Sequence, residues 1–330
     1  MKLHIIRRIR LFFLRGVISK FPSLHLNVSQ YIKLLFSHKY KNQKKCFLLC
    51  TTGENEEYFE QGFLVAIESI KLTNPKIPIV VFYNSLSESQ ISRLDGCQLI
   101  EINEENCNAE HRPDLTDATF HRLHLEQLEE FDKVLYIDSD VVVLDSLDEI
   151  FELPGNLIAV GQTKNYSEEF SDYKTIFEAE GIENPILPGF NAGFLCFNQN
   201  YWQDRLLREV ITMGDKYGWE NFINLDQGLL HLVVYRRGGF TSVPRHYNFR
   251  AWQDCLKVEQ NSKGFLAPYV DGKFVKILHF SGPFKPWQYE NKYASYPRLQ
   301  QFMDMYFPCY EQFRMLINKL QNSGTDSSSL

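Results

Sequence analysis

Residues 131–145 read FDKVLYIDSDVVVLD, in which two runs of apolar residues flank two acidic side chains. Short apolar runs bounded by polar residues are typical of buried β-strands. We therefore predict strands over Val134–Ile137 and Val141–Leu144, with a break at Asp138-Ser139-Asp140. The break places two carboxylates one residue apart at the end of a buried strand.

The paired carboxylates predict a divalent metal site, because burial and mutual repulsion destabilise them unless a cation is bound between them. Hard cations such as Mg²⁺ and Mn²⁺ bind carboxylate oxygens and keep positions open for substrate phosphates. A solvated Asp-Ser-Asp turn is the alternative, since two Asp residues separated by one other residue often occur by chance. The buried strand that precedes them favours the metal.

Charge is unevenly distributed along the 330 residues, whose formal net charge is −6. Residues 1–45 hold 11 Lys and Arg and no acidic residue, whereas the rest of the chain holds 24 basic and 41 acidic residues. This asymmetry indicates a basic arm on an acidic body. The acidic body also lacks a base-stacking motif, so we expect no nucleic-acid partner.

The arm has apolar residues at helical spacing with arginines between them, in the stretch MKLHIIRRIRLFFLRGVISKF. Its longest uncharged apolar run, Leu11–Leu14, is too short to cross a bilayer. Two interpretations stay open: residues 1–20 contact an anionic membrane surface peripherally, or they pack on the protein's own domain. The seven scattered cysteines contain no C-x-x-C pair and favour the reducing cytoplasm, with the inner membrane face as the contact surface.

The first half of the body alternates strands and helices, which predicts a parallel α/β sheet. The predicted strands are 46–50, 79–83 and 99–102, and the predicted helices are 59–72, 119–128 and a short one after a capping box at 87–90. Ligands bind beyond the carboxyl ends of such strands. Thr51-Thr52 and Asp138-Ser139-Asp140 both lie at these ends.

The second half is less regular. The length allows one large α/β domain or two smaller ones, and the 44% hydrophobic content indicates a globular core. We predict helices over 168–181, 202–217, 225–234 and 298–320, a turn over 188–193 leading into a strand over 194–198, and a strand over 277–280. The Ser-rich residues 322–330 are expected to be disordered.

Four segments in order resemble the family 8 glycosyltransferases, the retaining group that includes glycogenin and bacterial lipopolysaccharide galactosyl- and glucosyltransferases. The segments are LYIDSDVVV at 135–143, FNAGFLCFN at 190–198, NLDQGLL at 224–230 and HFSGPFKPW at 279–287. The resemblance covers about residues 46–290. It implies a GT-A type nucleotide-sugar transferase fold, with a Rossmann-like mixed α/β sheet flanked by helices.

The resemblance also implies the metal ligands. Asp138 and Asp140 match the family's metal-binding carboxylates, and His279 matches its third ligand. An imidazole beside two carboxylates suits Mn²⁺ better than Mg²⁺, although Mg²⁺ stays possible. For a single histidine, the alternative is an ordinary core or surface residue.

The UDP-sugar donor is expected to contact further residues that match the family pattern. These are Thr52 and Tyr58 for the nucleoside, Arg122, Gly282 and Lys285 for the diphosphate, and Asn191 for the sugar. Lys285 and Arg122 carry the positive charge that a departing diphosphate needs. A surface arginine is the alternative for position 122. Residues 53–61 lack glycogenin's Asn-Asp pair, so the nucleoside contacts are the weakest part of the match.

Asp226 and Gln227 match the pair beside the transferred sugar and are the predicted catalytic residues. A glutamine is a poor nucleophile, which favours same-face transfer, in which the leaving phosphate deprotonates the acceptor. A helix N-cap is the alternative role for Asp226. Arg250–Leu256 contains no tyrosine where glycogenin glucosylates itself, so we expect a separate glycan or glycolipid acceptor.

The expected activity is metal-dependent transfer of galactose or glucose from a UDP-sugar, with retention. The expected organisation is a basic arm over 1–45, a catalytic domain over 46–290 and a C-terminal helix with a disordered tail over 291–330. A non-catalytic sugar-nucleotide-binding protein and a nucleotide-sugar hydrolase are the alternatives.

Overall fold

The computed structural model describes residues 43–102, 118–165, 173–182, 188–203, 205–222, 226–282, 285–288 and 296–325. The chain divides into two compact units, Lys44–Phe151 with Gly155–Leu330, and Met1–Gln43 with Glu152–Pro154. The sheets and the site described below belong to the first unit. Nearly all of the basic arm lies outside the described residues.

Short apolar runs form the strands predicted near 46–50, 79–83, 99–102, 134–137, 141–144, 194–198 and 277–280, whereas the strand over 157–165 and those between 241 and 274 were not predicted. The strands of the main sheet are β1 (Lys45–Thr51), β2 (Ile79–Tyr83), β3 (Cys97–Glu101), β4 (Lys133–Ile137), β6 (Leu157–Asn165), β7 (Pro188–Asn198) and β8 (Thr241–Val243). The strands of two smaller sheets are β5 (Val141–Val143), β9 (Phe249–Arg250), β10 (Lys257–Gln260), β11 (Leu266–Val270), β12 (Lys273–Phe274) and β13 (Ile277–His279).

Within the described residues, the main sheet has seven strands in the order β3-β2-β1-β4-β7-β6-β8. Strands β1 to β4 pair in parallel, which confirms the prediction for the first half. Strand β7 runs antiparallel to both β4 and β6, so the sheet as a whole is mixed. The carboxyl ends of β1 and β4 therefore lie beside the incoming end of β7.

The two smaller sheets have the orders β5-β13-β9 and β10-β11-β12 among the described residues. Strand β13 is antiparallel to β5 and parallel to β9. This pairing joins the segment after β4 to a strand more than 130 positions later in the chain.

The described helices are interspersed with the strands along the chain. They are α1 (Glu56–Tyr58), α2 (Leu64–Thr73), α3 (Glu88–Ser92), α4 (Ala118–His121), α5 (Asp148–Glu152), α6 (Tyr173–Ala179), α7 (Asn200–Gln203), α8 (Leu206–Tyr217), α9 (Asp226–Arg236) and α10 (Pro297–Thr325). A π-helical turn over Phe59–Phe63 joins α1 to α2, and the predicted capping box of Ser87 and Gln90 opens α3. No helix in the described part of the chain is long and apolar enough to span a membrane.

The prediction of a turn over 188–193 is wrong, because these residues are the first part of β7. Strand β4 pairs with β7 only between Phe194 and Asn198, so Pro188 lies beyond this pairing. The N–H that proline lacks therefore leaves no acceptor on β4 without a partner. Proline is tolerated at the first residue of a strand for this reason.

Three predicted helix boundaries also differ from the structure. The helix expected over 202–217 is two helices, α7 and α8, and Arg205 before α8 has a left-handed backbone with φ of 51°. The helix expected over 119–128 is α4 followed by a 3₁₀ turn over Leu125–Leu128. Helix α10 continues to Thr325, beyond the point where the sequence predicts disorder.

Candidate active site

The Asp138-Ser139-Asp140 break lies where the chain passes from the main sheet to a smaller one. Strand β4 pairs with β1 and β7, whereas β5 pairs with β13. The backbone N–H of Asp138 donates to the carbonyl of Gly193 in β7 over 3.1 Å. Asp140 is only 7% exposed, which excludes a solvated turn at that residue.

His279 reaches this break through the pairing of β13 with β5, in which it lies opposite Val141. Its Nε2 is 3.1 Å from Asp140 Oδ1 and 3.5 Å from Asp138 Oδ2. One ligand atom from each of the three side chains lies within 4.8 Å of the others. The structure therefore brings the predicted metal ligands together, although two come from one turn and the third from far along the chain.

Two asparagines orient the His279 ring. His279 Nδ1 is 3.0 Å from Asn248 Oδ1, and Asn248 Nδ2 donates to Asn191 Oδ1 over 2.8 Å. The second bond turns the carbonyl oxygen of Asn248 toward the histidine, so Nδ1 carries the proton and donates it. The lone pair of Nε2 then faces the two carboxylates, which is the tautomer that a metal-binding histidine needs.

Gly193 keeps space open beside the cluster. A Cβ atom at this position would collide with Asp138 Oδ2 and would lie 2.6 Å from His279 Cε1. Two carboxylates, of which that of Asp140 is buried and that of Asp138 is partly exposed, and a buried imidazole lone pair are a donor set that fits a divalent cation such as Mn²⁺.

Lys285 supplies a positive charge on the other side of Asp140. Its Nζ donates to Asp140 Oδ2 over 2.5 Å and to the carbonyl of Phe280 over 3.0 Å. Burial acts to raise the pKa of Asp140, but the ammonium of Lys285 and the contact with His279 outweigh it and hold the pKa below its ordinary value. Asp140 is therefore an anion at neutral pH.

Arg122 is buried at 4% exposure, so it is not the surface arginine that the sequence left open. Its guanidinium pairs with Asp226 Oδ2 and lies 3.6 Å from Asp138 Oδ1. It is also 3.4 Å from the hydroxyl of Tyr136 and from the carbonyl of Ala192. Arg122 thus connects Asp226, the first residue of α9, to the carboxylate cluster.

Gln227 and Asn191 line the incoming end of β7. The Oε1 atom of Gln227 accepts from the backbone N–H of Ala192 over 3.0 Å, and Asn191 Oδ1 accepts from that of Gly193 over 3.1 Å. Both predicted sugar contacts are therefore anchored to the strand that borders the metal ligands.

Three further predicted residues lie at the edges of the site. The hydroxyl of Tyr58 is 2.7 Å from Ser139 Oγ, and burial, with the charge of Asp140, raises its pKa well above the ordinary value. Thr52 follows β1 directly and is half-buried, while Gly282 is exposed with φ of 97°. A positive φ of this size favours glycine.

The sequence interpretation missed the supporting residues Asn248 and Tyr136. Tyr136 donates to Asp138 Oδ1 over 2.6 Å and fixes that carboxylate. Tyr136 lies in the quoted segment LYIDSDVVV, whereas Asn248 lies in the segment YNF at 247–249 and contacts His279, which comes from a distant part of the chain. Pattern alone therefore marks the segment and not the supporting side chain.

Comparisons with known proteins agree with this geometry. A family model described as "Glycosyl transferase family 8" matches residues 13–291. Galactinol synthase 7 of Arabidopsis thaliana is 25% identical over 81% of this chain and 77% of that protein. Lipopolysaccharide 1,3-galactosyltransferase of Salmonella typhimurium is 24% identical over 75% of this chain and 74% of its own length. Some relatives are longer: the chain spans 39% of the glycosyltransferase GlyB of Streptococcus pneumoniae.

Among solved structures, the galactosyltransferase LgtC in complex with donor and acceptor sugar analogues matches with a TM-score of 0.53. The match has 21% identity and covers 78% of this chain and 95% of that one. It shows that the two chains share a fold, which is of the GT-A type. Because the family model covers most of the chain, the protein belongs to glycosyl transferase family 8 and is a glycosyltransferase.

Proposed function

We propose that the protein is a retaining hexosyltransferase that moves galactose or glucose from a UDP-sugar to a glycan or glycolipid acceptor with the help of Mn²⁺. The observation that carries the proposal is the cluster of Asp138, Asp140 and His279, with Lys285 on one side and the Arg122–Asp226 pair on the other. Metal ligands and cations that meet at the carboxyl end of a strand suit a sugar diphosphate.

Asp138, Asp140 and the His279 Nε2 lone pair would hold the metal ion. When bound, the ion supplies Lewis-acid stabilisation of the departing diphosphate. Mn²⁺ is favoured over Mg²⁺ because one of the three ligands is an imidazole. The hydrogen bond from His279 Nδ1 to Asn248 keeps that ligand in the correct tautomer.

Lys285 and Arg122 neutralise negative charge on the donor. Lys285 bonds to Asp140 in this structure and is close enough to move its ammonium onto a phosphate held at the metal. Burial acts to lower the pKa of Arg122, but Tyr136 and Asp138 raise it above the ordinary value, so the guanidinium stays charged. Gly282 lets the backbone approach the diphosphate, and Thr52 and Tyr58 bind the nucleoside.

Asp226, Gln227 and Asn191 hold the transferred sugar. The Asp226 carboxylate is paired with Arg122, which makes it a weak nucleophile and suits it to accept hydrogen bonds from sugar hydroxyls. Gln227 cannot form a covalent ester, and its Oε1 is already engaged by the N–H of Ala192. These properties favour same-face transfer, in which the leaving phosphate takes the acceptor proton.

The names of the relatives support a hexose as the transferred sugar. They include a galactinol synthase and a lipopolysaccharide 1,3-galactosyltransferase. We keep both galactose and glucose as candidate sugars, because the residues around Asp226 and Asn191 bind hydroxyl groups that the two sugars share.

The proposed organisation is a catalytic domain over 46–290 preceded by the basic arm and followed by α10. The arm is proposed to bring the enzyme to anionic lipid at the inner membrane face, which fits a glycolipid acceptor. Packing of the arm on the catalytic domain is the competing proposal. Binding of the full chain to anionic vesicles at low salt, with and without residues 1–20, decides between them.

The function is tested by incubating the protein with UDP-galactose or UDP-glucose in Mn²⁺, Mg²⁺ or EDTA, with and without a glycan panel. We expect UDP release that needs the metal, and a hexose added to a glycan by mass spectrometry with retained anomeric configuration by NMR. Release of free hexose that no glycan increases would instead indicate a hydrolase. Binding of UDP-sugar without turnover in any mixture would indicate a non-catalytic binding protein.

A further inference from the structure

A cavity of about 740 Å³ opens beside the segment that follows β9. Its lining includes Arg245, which precedes β9, then Trp252, Gln253 and the acidic residue Asp254, which follow β9, and Arg298 and Phe302 from the start of α10. Cavities of this size hold small molecules or sugars of a few rings. None of these residues has a role in the proposed donor site.

Trp252 presents an exposed aromatic surface to the cavity. It is 43% exposed, which is unusual for so large an apolar side chain, and its Nε1 donates to Ser281 Oγ over 3.2 Å. The guanidinium carbon of Arg250 lies 4.3 Å from the centroid of the ring. The ring is therefore held in one orientation while part of its surface stays open to a ligand.

Arg298 places a positive charge at the same cavity. Its guanidinium lies over the ring of Phe302 at 5.9 Å, and the side chain is exposed at the start of α10. The second lining arginine, Arg245, is held by a bidentate pair with Asp271, at 2.7 and 2.9 Å. Arg298 is therefore the arginine better placed to meet a ligand anion.

The cavity is joined to the metal cluster through two residues. Trp252 bonds to Ser281, and the next residue back, Phe280, donates its N–H to the carbonyl of Asp140 over 2.9 Å. Residue Arg250 also lies opposite His279 in the pairing of β9 with β13. The residues around this cavity are thus linked by direct contacts to residues beside Asp140 and His279.

We propose that this cavity is an acceptor subsite and that it takes a saccharide that carries a phosphate or a carboxylate. A sugar ring stacks on Trp252, and the anionic group binds Arg298. The inference rests on the proposed transferase function and adds the chemical class of its acceptor. Helix α10, which forms one wall of the cavity, begins after residue 291, where the match to the family model ends.

The test uses the full chain with Mn²⁺ and UDP, and the probes are two matched pairs: lactose with lactose 6′-phosphate, and maltose with maltose 6′-phosphate. The dissociation constant of each sugar is measured by isothermal titration calorimetry. We expect the phosphorylated sugars to bind about tenfold more tightly, the effect of one charge-assisted contact. Arg298→Ala should remove this preference, and Trp252→Ala should weaken all four sugars by about tenfold.

Two control variants and one independent readout accompany the test. Arg208→Ala removes an exposed arginine on α8, and Leu256→Ala removes a side chain that is 78% exposed on the same segment but does not line the cavity. Both controls should bind the sugars as the wild type does. Calorimetric UDP affinity in Mn²⁺ and the thermal unfolding midpoint should be unchanged in every variant, which separates loss of the subsite from loss of the fold.

The outcomes distinguish the subsite from the function on which it rests. Metal-dependent UDP release together with equal sugar binding in wild type and Trp252→Ala overturns the subsite and leaves the transferase intact. Trp252-dependent binding without any turnover of UDP-galactose or UDP-glucose overturns the transferase and, with it, the assignment to an acceptor. Attaching the same phosphodisaccharide to a synthetic lipid in neutral vesicles then shows whether the free or the lipid-linked form is bound more tightly.

Discussion

The cluster of Asp138, Asp140 and His279 and the cavity beside Trp252 are neighbours, but the first is largely buried and the second is exposed. In the cluster, Asp140 and His279 are almost completely buried and each is fixed by bonds to other side chains. In the cavity, Trp252 and Arg298 are exposed and have few polar partners among the described residues. The two regions differ in rigidity although two residues join them.

The difference in burial indicates that one site can hold the metal and diphosphate rigidly and still accept glycans of varied shape. A metal and a diphosphate need ligands within a few tenths of an ångström, which buried and hydrogen-bonded side chains provide. An acceptor glycan varies more in shape, and stacking on an exposed ring tolerates such variation. We therefore expect substitutions in the cluster to have large effects on the metal and the donor, and substitutions in the cavity to have smaller effects on the acceptor alone.

The largest effect is expected for Asp140→Asn and His279→Ala. Each removes a proposed metal ligand, so several kcal/mol of transition-state stabilisation should be lost, and Mn²⁺-dependent UDP release should fall by roughly 100-fold or more. Calorimetry with Mn²⁺ should show the same loss in binding. Glu259→Gln, an exposed carboxylate in β10, is the matched control. Turnover that persists in EDTA, or normal Mn²⁺ binding by both variants, would remove these residues from the metal site.

The next effect is expected for Lys285→Ala, which removes the ammonium beside Asp140. Loss of one charge-assisted contact should weaken UDP by about 1–3 kcal/mol, or roughly 5- to 150-fold. Calorimetric titration with UDP in saturating Mn²⁺ measures this change. Lys257→Ala, whose ammonium is half-exposed on β10, should bind UDP normally. Equal UDP affinity in Lys285→Ala and wild type contradicts the diphosphate contact.

A third substitution breaks the orientation of the cluster without touching a ligand. Asn248→Ala removes the acceptor for His279 Nδ1, so the imidazole can adopt the wrong tautomer or rotate. Loss of such a supporting residue typically lowers metal affinity by about 10- to 100-fold. Asn248→Asp keeps an acceptor at the same place and should recover part of the affinity. If both variants bind Mn²⁺ as tightly as the wild type, the tautomer assigned to His279 is wrong.

Much of this rigid region was visible in the sequence. Apolar runs predicted the bounds of β1, β2 and β4 to within a residue or two. A buried strand is rich in apolar residues whichever strand it pairs with, so its own sequence is enough to find it. The resemblance then selected Asp138, Asp140 and His279, which the pairing of β13 with β5 brings together.

The supporting contacts and the cavity were not visible, because they depend on long-range register. Nothing local in the segment YNF says that Asn248 faces His279, since that contact needs the parallel pairing of β9 with β13. The prediction of a turn at 188–193 failed for a related reason: local Pro and Gly signals were outweighed by the pairing of β7 with β6. Trp252 and Arg298 line the same cavity because the start of α10 lies beside the segment that follows β9.

The contact between α9 and β7 should make the unfolding free energy depend on pH, which the exposed cavity should not. His231 on α9 is fully buried and accepts from the N–H of Phe190 in β7, and burial lowers its pKa to about 3. In the unfolded chain the His231 side chain binds a proton with a pKa near 6.5, whereas in the native state it stays neutral at this pH. The unfolding free energy should therefore fall by about 2 kcal/mol from this group between pH 7 and pH 5.

The variant His231→Gln keeps a hydrogen-bond acceptor but does not titrate. Chemical denaturation at pH 7 and pH 5 should show a smaller loss of stability in this variant than in the wild type, whatever its stability at pH 7. Equal losses in the two proteins would mean that His231 does not contribute to acid unfolding.

The smallest effect is expected for Trp252→Phe, which tests whether the two regions are separable. Phenylalanine keeps an aromatic surface for stacking and loses the bond from Nε1 to Ser281 Oγ. A hydrogen bond contributes about 0.5–1.5 kcal/mol, and an exposed one lies at the low end of this range, so we expect a rise of about two- to threefold in the KM for the acceptor. Steady-state kinetics should show unchanged kcat, and calorimetry should show unchanged Mn²⁺ and UDP affinities. Ser281 lies next to Phe280, which bonds to Asp140, so this bond is one of the links between the two regions. A loss of UDP affinity comparable to that of Lys285→Ala would show that the cavity and the donor site act as one unit, and the contrast between a rigid cluster and an adaptable neighbour would not hold.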